Sequence, residues 1–142
     1  MSVPWEDAAL GDEVASGSFD ITRDQLVRYA GASGDFNPIH YRDDVAQQVG
    51  LEGVLAHGML TMGLALSPVL SWLGGRGTVR QYQVRFTKPV YVPAQGSTTL
   101  TSTATLSRRD EEASGDITLT LTVKGDLGQS VLGKALVVVA PR

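Results

Sequence analysis

Apolar residues recur with a helical spacing in the first half of this 142-residue chain and with a spacing of two in much of the second half. Residues 13–19 form a plausible first strand. Thr22 and Gln25 stand three positions apart, which is typical of a capping box at the start of a helix. That helix is predicted to end near Gly31 or Gly34, because glycine commonly terminates helices.

Two further helices are predicted before the spacing changes. Asp43 or Asp44 can cap a short helix that Gly50 stops. Residues 54–73 are apolar nearly all round, and their length approaches the ~20 residues of a membrane span. Several glycines, Pro68 and the lack of a flanking basic cluster argue against a span, so we expect none. A helix that is apolar on every side is otherwise buried inside a protein, and some other part of the chain must wrap it.

The second half of the chain predicts an antiparallel sheet. Apolar residues alternate strictly with threonines over residues 117–123, and residues 131–139 form the continuous apolar run of a central strand. Further strands are predicted near residues 80–86 and 97–107, turns at 110–116 and 125–129, and an interrupted or edge segment between Pro89 and Pro93. About five or six strands curved around one helix predict a single α+β domain over residues 1–142.

Composition excludes several classes of function. Hydrophobic residues make up 42% and charged residues 19%, as in an ordinary globular protein. The absence of cysteine excludes disulfides, thiolate metal sites and a cysteine nucleophile. With a net charge of −3 and no basic run, we expect no nucleic-acid partner. The first residues lack the basic region of a secretory signal, and a cytoplasmic protein is predicted.

Two short segments carry groups suited to proton transfer. Asp35 and His40 lie in the turn-rich segment 33–40, where a tight turn could direct both side chains into one small volume. A carboxylate beside an imidazole supplies an acid and a base for one substrate. The second segment, 56–59, opens the apolar helix, and an N–H at Gly58 could stabilise a carbonyl oxygen that gains negative charge. Together these groups suit proton abstraction next to a carbonyl.

Each of these residues also has a structural interpretation that spacing alone does not exclude. Asp35 and Asn37 could simply make Asx turns. His40 could be a loop histidine with satisfied hydrogen bonds, and His57 could order the start of the helix. Gly58 could be needed only for close packing of helix against sheet.

A resemblance to a known family favours the catalytic interpretation. Residues 29–63, YAGASGDFNPIHYRDDVAQQVGLEGVLAHGMLTMG, closely resemble the signature of the (R)-specific enoyl-CoA hydratases, or MaoC-like dehydratases. Within that family they look most like the catalytic subunit of mycobacterial-type (3R)-hydroxyacyl-ACP dehydratases. Residues 84–96, VRFTKPVYVPAQG, resemble the family's strand and turn after the central helix. SGDxNPIH and AHGM at this separation form a specific combination.

The resemblance implies a hot-dog fold, in which a curved antiparallel sheet wraps a central helix. It implies that Asp35 and His40 are the catalytic pair and that the Gly58 N–H is the oxyanion donor. The substrate-binding residues expected around them are Asn37, His57, Met59 and Gly63.

The implied reaction interconverts trans-2-enoyl and (3R)-hydroxyacyl thioesters of CoA or acyl carrier protein, in fatty-acid or related metabolism. His40 is the preferred partner of the α-proton and Asp35 of the water or hydroxyl proton, although the reverse division stays open. No metal or cofactor is required. The resemblance also implies a dimer, either a homodimer or a heterodimer with a related hot-dog subunit.

Two alternatives are kept. A hot-dog thioesterase often carries a carboxylate on the central helix to direct water, whereas residues 54–73 contain no Asp or Glu. A non-catalytic partner subunit would not need an intact Asp35 and His40 pair.

Overall fold

One antiparallel sheet and a long helix packed on it form the framework of the protein. The computed structural model describes residues 3–112 and 114–142. Its elements in chain order are β1 Glu13–Ile21, α1 Arg23–Ser33, a 3-10 turn Pro38–His40, α2 Asp43–Gln48, α3 Gly58–Leu73, β2 Gly77–Phe86, β3 Thr98–Arg109, β4 Ile117–Lys124 and β5 Leu132–Pro141.

The five strands lie in the order β1-β3-β4-β5-β2, and every neighbouring pair is antiparallel. The strictly alternating β4 sends its apolar residues to the buried face and its threonines to the other. The predicted turn at 110–116 does connect β3 to β4, although its Ala113 lies outside the described residues. The predicted α+β class is therefore confirmed, with five strands in the sheet.

Helix α3 packs against the sheet along one stripe. Its buried residues recur every three or four positions: Thr61, Ala65, Val69, Trp72 and Leu73. On the other side Met59 and Leu70 are 59% and 51% exposed. This side of α3 is uncovered in a single chain, because one curved sheet covers only one side of a cylinder. No helix in the described parts of the chain is long and apolar enough to cross a membrane.

The long apolar stretch also divides into two different structures. α3 begins at Gly58, whereas residues 54–56 are extended and pair with residues 90–92. The Ala56 N–H donates to the Val90 carbonyl at 2.8 Å, and the Val92 N–H donates to the Val54 carbonyl at 3.0 Å. These long-range bonds compete with helix formation, and no local periodicity reveals them.

The start of α1 follows the predicted capping box. The Gln25 N–H donates to Thr22 Oγ1 at 3.4 Å, and the Thr22 N–H donates to Gln25 Oε1 at 3.0 Å. The helix ends at Gly34, whose φ of 77° is the left-handed conformation that glycine adopts without strain. The chain therefore reverses direction immediately before Asp35.

The predicted cap of α2 is wrong, because the N-cap is Arg42 and Asp43 is already helical. The Asp43 carboxylate instead accepts from the Val54 N–H at 2.9 Å and pairs with Arg23 at 3.0 Å. The Val54 N–H lowers the pKa of Asp43, and the Arg23 guanidinium adds to that shift. Since Arg23 Nε also donates to the Val92 carbonyl at 2.7 Å, this cluster ties α1, α2 and the paired segments together.

Candidate active site

Two consecutive Asx turns shape the loop after α1. The Asn37 N–H donates to Asp35 Oδ1 at 3.2 Å, and the Ile39 N–H donates to Asn37 Oδ1 at 3.2 Å. The second turn caps the 3-10 turn that ends at His40. The structural interpretation of Asp35 and Asn37 is therefore correct as far as it goes. Because the first turn uses only Oδ1 of Asp35, the other carboxylate oxygen, Oδ2, faces His40.

The imidazole of His40 is held in one tautomer. Its Nδ1 lies 2.7 Å from the Leu55 carbonyl, which can only accept a hydrogen bond, so Nδ1 carries the proton. In the neutral ring Nε2 is then the acceptor, and it lies 3.9 Å from Asp35 Oδ2. The imidazole is 9% exposed and the Asp35 side chain 51% exposed. The separation exceeds a hydrogen bond, as is common for catalytic groups before substrate tightens the site.

His57 lies directly behind this pair. Its ring stacks on that of His40, with centroids 3.9 Å apart and planes at 24°, and the ring of Tyr29 meets it edge-on at 4.7 Å. Nε2 of His57 donates to the Asp35 backbone carbonyl at 3.2 Å. Burial lowers the pKa of His57, and a charge on His40 would lower it further. His57 is 1% exposed, so its structural interpretation agrees with the geometry.

A cavity of about 430 Å³ opens beside Asp35 and His40. Most of its wall is apolar, and the lining residues are Asp35, His40, Leu55, Ala56, Gly58, Met59, Thr61, Phe86, Thr87, Lys88, Pro89, Val90, Val131 and Leu132. The cavity meets the first turn of α3, where backbone N–H groups have no partner within the helix. An imidazole, a carboxylate and a helix N-terminus therefore border one apolar space.

Gly58 lies under the ring of Phe86. A Cβ at Gly58 would stand 2.9 Å from Phe86 Cε1 and 3.0 Å from Cζ, so any larger residue would displace the ring. Close packing is therefore one reason for glycine here. Phe86 and Lys88 also border the cavity, but they lie outside the two segments that carry the predicted acid, base and oxyanion donor. The available signal was the resemblance of residues 84–96 to the family's strand and turn.

The predicted site residues divide into three groups. Asp35, His40, Gly58 and Met59 line the cavity. Asn37 and His57 do not line it but hold the loop behind it. Gly63 lies on the exposed side of α3, where a Cβ would meet no atom within 4 Å, and it is not part of this cavity wall.

In the part of the chain that the structure describes, one group of residues could in principle hold a metal ion. Potential ligand atoms of Asp35, His40 and His57 all lie within 4.8 Å of one another. However, the lone pair of an imidazole nitrogen lies in the plane of its ring. Because the His40 and His57 rings are stacked, their nitrogen lone pairs lie in nearly parallel planes and do not converge on one point. The arrangement suits proton transfer better than coordination.

A second, larger cleft of about 600 Å³ lies between β1 and the C-terminal half of α3. Serines, Pro68 and Trp72 line it, and among the described residues of its wall Glu13 is the only acid or base. It therefore lacks the paired proton-transfer groups of the smaller cavity.

The sequence of this chain is similar to a family of known proteins. Residues 7–125 match the MaoC like domain family. The chain is 37% identical over 105 residues to 3-hydroxyacyl-thioester dehydratase X of Mycobacterium tuberculosis, covering 74% of this chain and 34% of that protein. It is 32% identical over 104 residues to an (R)-specific enoyl-CoA hydratase of Rhodospirillum rubrum, covering 72% of this chain and 69% of that protein.

Solved structures show the same architecture. A MaoC-like dehydratase superposes with a TM-score of 0.86 at 31% identity, over 99% of this chain and 42% of the other. The (R)-hydratase from A. caviae superposes with a TM-score of 0.83 at 22% identity, over 96% of this chain and 99% of the other. The predicted hot-dog fold is confirmed, and the chain belongs to the MaoC-like domain family.

Proposed function

We propose that this chain is an (R)-specific hydratase/dehydratase that interconverts trans-2-enoyl thioesters and (3R)-hydroxyacyl thioesters. The observation that carries the proposal is the arrangement of Asp35 and His40. A carboxylate oxygen and an unprotonated imidazole nitrogen face each other across 3.9 Å at the wall of an apolar cavity. The identities with an (R)-specific enoyl-CoA hydratase and a 3-hydroxyacyl-thioester dehydratase support it.

In hydration the pair would hold one water at the β-carbon of the enoyl chain. As the water oxygen bonds to that carbon, Asp35 takes a proton from it, and the C2–C3 π electrons move toward the thioester carbonyl. Asp35 passes this proton to Nε2 of His40, 3.9 Å away, and His40 then delivers it to the α-carbon, so both groups end the cycle in their starting protonation states. Dehydration reverses each step, with the hydroxyl leaving as water. The fixed Nδ1–H tautomer of His40 leaves Nε2 as the atom that exchanges this proton.

The N-terminus of α3 would stabilise the charge that develops on the thioester oxygen. Gly58 is the first residue of α3 and lines the cavity, so its N–H is the proposed donor. A preorganised donor of this kind is worth ~10²–10³-fold in rate, which is comparable to one proton-transfer group. Loss of any of the three groups should therefore be severe.

Pairing of two chains would cover the surfaces that one chain leaves open. Met59, Leu70 and Phe86 are all more than half exposed, and β2 has a neighbour on only one side. Proteins rarely leave such an edge and apolar face bare. We therefore propose a homodimer or a heterodimer with a related hot-dog subunit. Gly63, on the same exposed side of α3, would then lie near the seam.

One experiment tests the activity and its alternatives together. The chain is purified alone, its mass is measured in solution, and it is supplied with crotonyl thioesters of CoA and of acyl carrier protein. Reversible hydration to the 3R product, abolished by Asp35→Asn, is expected. Release of free thiol without hydration would indicate a thioesterase instead. A chain that stays inactive until a related hot-dog subunit is added would indicate a partner-dependent enzyme, and one inactive in both states would overturn the proposal.

A further inference from the structure

Two buried polar atoms next to the Asp35 and His40 pair have no hydrogen-bond partner among the described residues. One is Nδ1 of His57, and the other is Oγ1 of Thr61, which lines the cavity. The two residues are 1% and 2% exposed. A buried polar atom without a partner is costly, so this coincidence calls for an explanation.

The two atoms are complementary. Nε2 of His57 carries the ring proton, since it donates to the Asp35 carbonyl, and Nδ1 of the neutral ring can only accept. A threonine hydroxyl can donate. The Thr61 N–H donates to the His57 carbonyl at 3.2 Å, so the two residues lie one turn apart at the start of α3, with His57 as its N-cap. Side chains on a helix also tilt toward its N-terminus, which brings the hydroxyl toward the histidine.

We propose that Thr61 is a positioning residue that acts through His57, by a hydrogen-bonded link from its hydroxyl to Nδ1 closed by one internal water. Such waters typically satisfy buried polar groups that lack protein partners. The proposal rests on the proposed function above and extends it. Thr61 lines the cavity, but neither Thr61 nor His57 exchanges a proton with the substrate in the proposed reaction.

The link would control the position of the Asp35 carboxylate. With a donor at Nδ1, His57 keeps its proton on Nε2 and holds the Asp35 backbone carbonyl. Without that donor the other tautomer becomes competitive, and a bare Nε2 lone pair would then repel the same carbonyl oxygen. That repulsion would displace Asp35 from His57. Since the His57 ring stacks on the His40 ring, the position of Asp35 relative to His40 would change as well. The consequence would fall on the chemical step rather than on substrate binding.

Thr61→Val and Thr61→Ser separate the hydroxyl from the packing. Valine keeps the shape and removes the hydroxyl, whereas serine keeps the hydroxyl and removes a methyl. For Thr61→Val we expect a loss of about fivefold to tenfold in kcat with KM unchanged, as for one neutral hydrogen bond. Thr61→Ser should stay close to wild type. Ser102→Ala is the matched control, since its equally buried hydroxyl donates to the Ala65 carbonyl of α3 at 2.8 Å.

Nitrogen-15 NMR of the imidazoles tests the link without any turnover. The chain has two histidines, so a His40→Gln spectrum assigns both. We expect His57 as the Nε2–H tautomer in wild type and Thr61→Ser, and a shift toward the Nδ1–H tautomer in Thr61→Val alone. An unchanged spectrum in Thr61→Val would overturn the proposal, even if the protein proved inactive on every thioester.

The melting temperature of Thr61→Val gives a second test, because an unpaired hydroxyl and a linked hydroxyl predict changes of opposite sign. If the Thr61 hydroxyl were simply unpaired, valine would remove an unsatisfied group and raise the melting temperature. A Thr61→Val protein that is more stable and fully active would therefore refute the link. Equal losses in Thr61→Val and Thr61→Ser would also refute it, because the hydroxyl would not be the determinant.

Discussion

Gly58→Ala should change the free energy of unfolding only slightly but lower kcat/KM strongly. The added methyl would stand 2.9 Å from Phe86 Cε1 and 3.0 Å from Cζ. Carbon atoms prefer about 3.5–4.0 Å, so the ring must retreat by roughly 0.5–1 Å. Phe86 is 53% exposed and can turn toward solvent, which places the cost near the lower end of the ~1–3 kcal/mol of overpacking.

A stabilising effect of similar size opposes the packing cost of the added methyl. Replacing glycine by alanine at a helical position stabilises by about 0.4–1 kcal/mol, because the unfolded chain loses freedom. The free energy of unfolding of Gly58→Ala should therefore stay within about 1–2 kcal/mol of wild type. The methyl and the displaced ring would nevertheless occupy the space above the first N–H of α3. We expect kcat/KM to fall by ~10²–10³-fold, the value of one oxyanion donor.

The assay compares chemical denaturation with hydration of a crotonyl thioester. Gly31→Ala is the control: Gly31 lies within α1, and a Cβ there would meet no atom within 4 Å. It should gain about 0.4–1 kcal/mol of stability and keep its activity. A Gly58→Ala protein that folds normally and turns over like wild type would show that the substrate does not need the space under the Phe86 ring.

The remaining predictions concern the proton-transfer groups, pH and assembly. Asp35→Asn and His40→Ala should each lower turnover by about a hundredfold or more with the fold intact, as checked by kinetics and circular dichroism; near-normal turnover would exclude that residue. Burial lowers the pKa of His57 below its ordinary 6.5, so below that pH the unfolded chain binds a proton that the folded chain refuses. The melting temperature should accordingly fall as the pH drops from about 7 to 5.5, less steeply in His57→Gln, and equal slopes would contradict this assignment. Leu70→Lys, on the exposed apolar side of α3, should shift the mass in sedimentation from dimer toward monomer, and an unshifted dimer would place the interface elsewhere.

Local pattern was sufficient for much of the fold. The capping box at Thr22, the glycine that ends α1 and the strict alternation of β4 each depend on residues within a few positions of one another. Most of the chain can therefore be divided correctly into helices and strands from its spacing. The same local chemistry predicted the turns that carry Asp35 and Asn37. Spacing alone did not decide whether these residues did more than turn the chain, and the family resemblance supplied that hypothesis.

Contacts between distant segments decided the rest. Residues 54–56 are extended rather than helical because they pair with residues 90–92. Asp43 does not cap α2, because its carboxylate binds the Val54 N–H and Arg23. The tautomer of His40 follows from the Leu55 carbonyl, fifteen positions away.

The surroundings of His57 and Gly58 likewise depend on tertiary packing. The His57 ring stacks on His40, and Phe86 from the end of β2 closes over Gly58. A sequence carries the propensities of neighbouring residues, since local backbone energies act over one or two turns. Which distant carbonyl, ring or strand satisfies a given group is settled only when the sheet and α3 bring those groups together, and at this site that choice sets the state of each proton-transfer group.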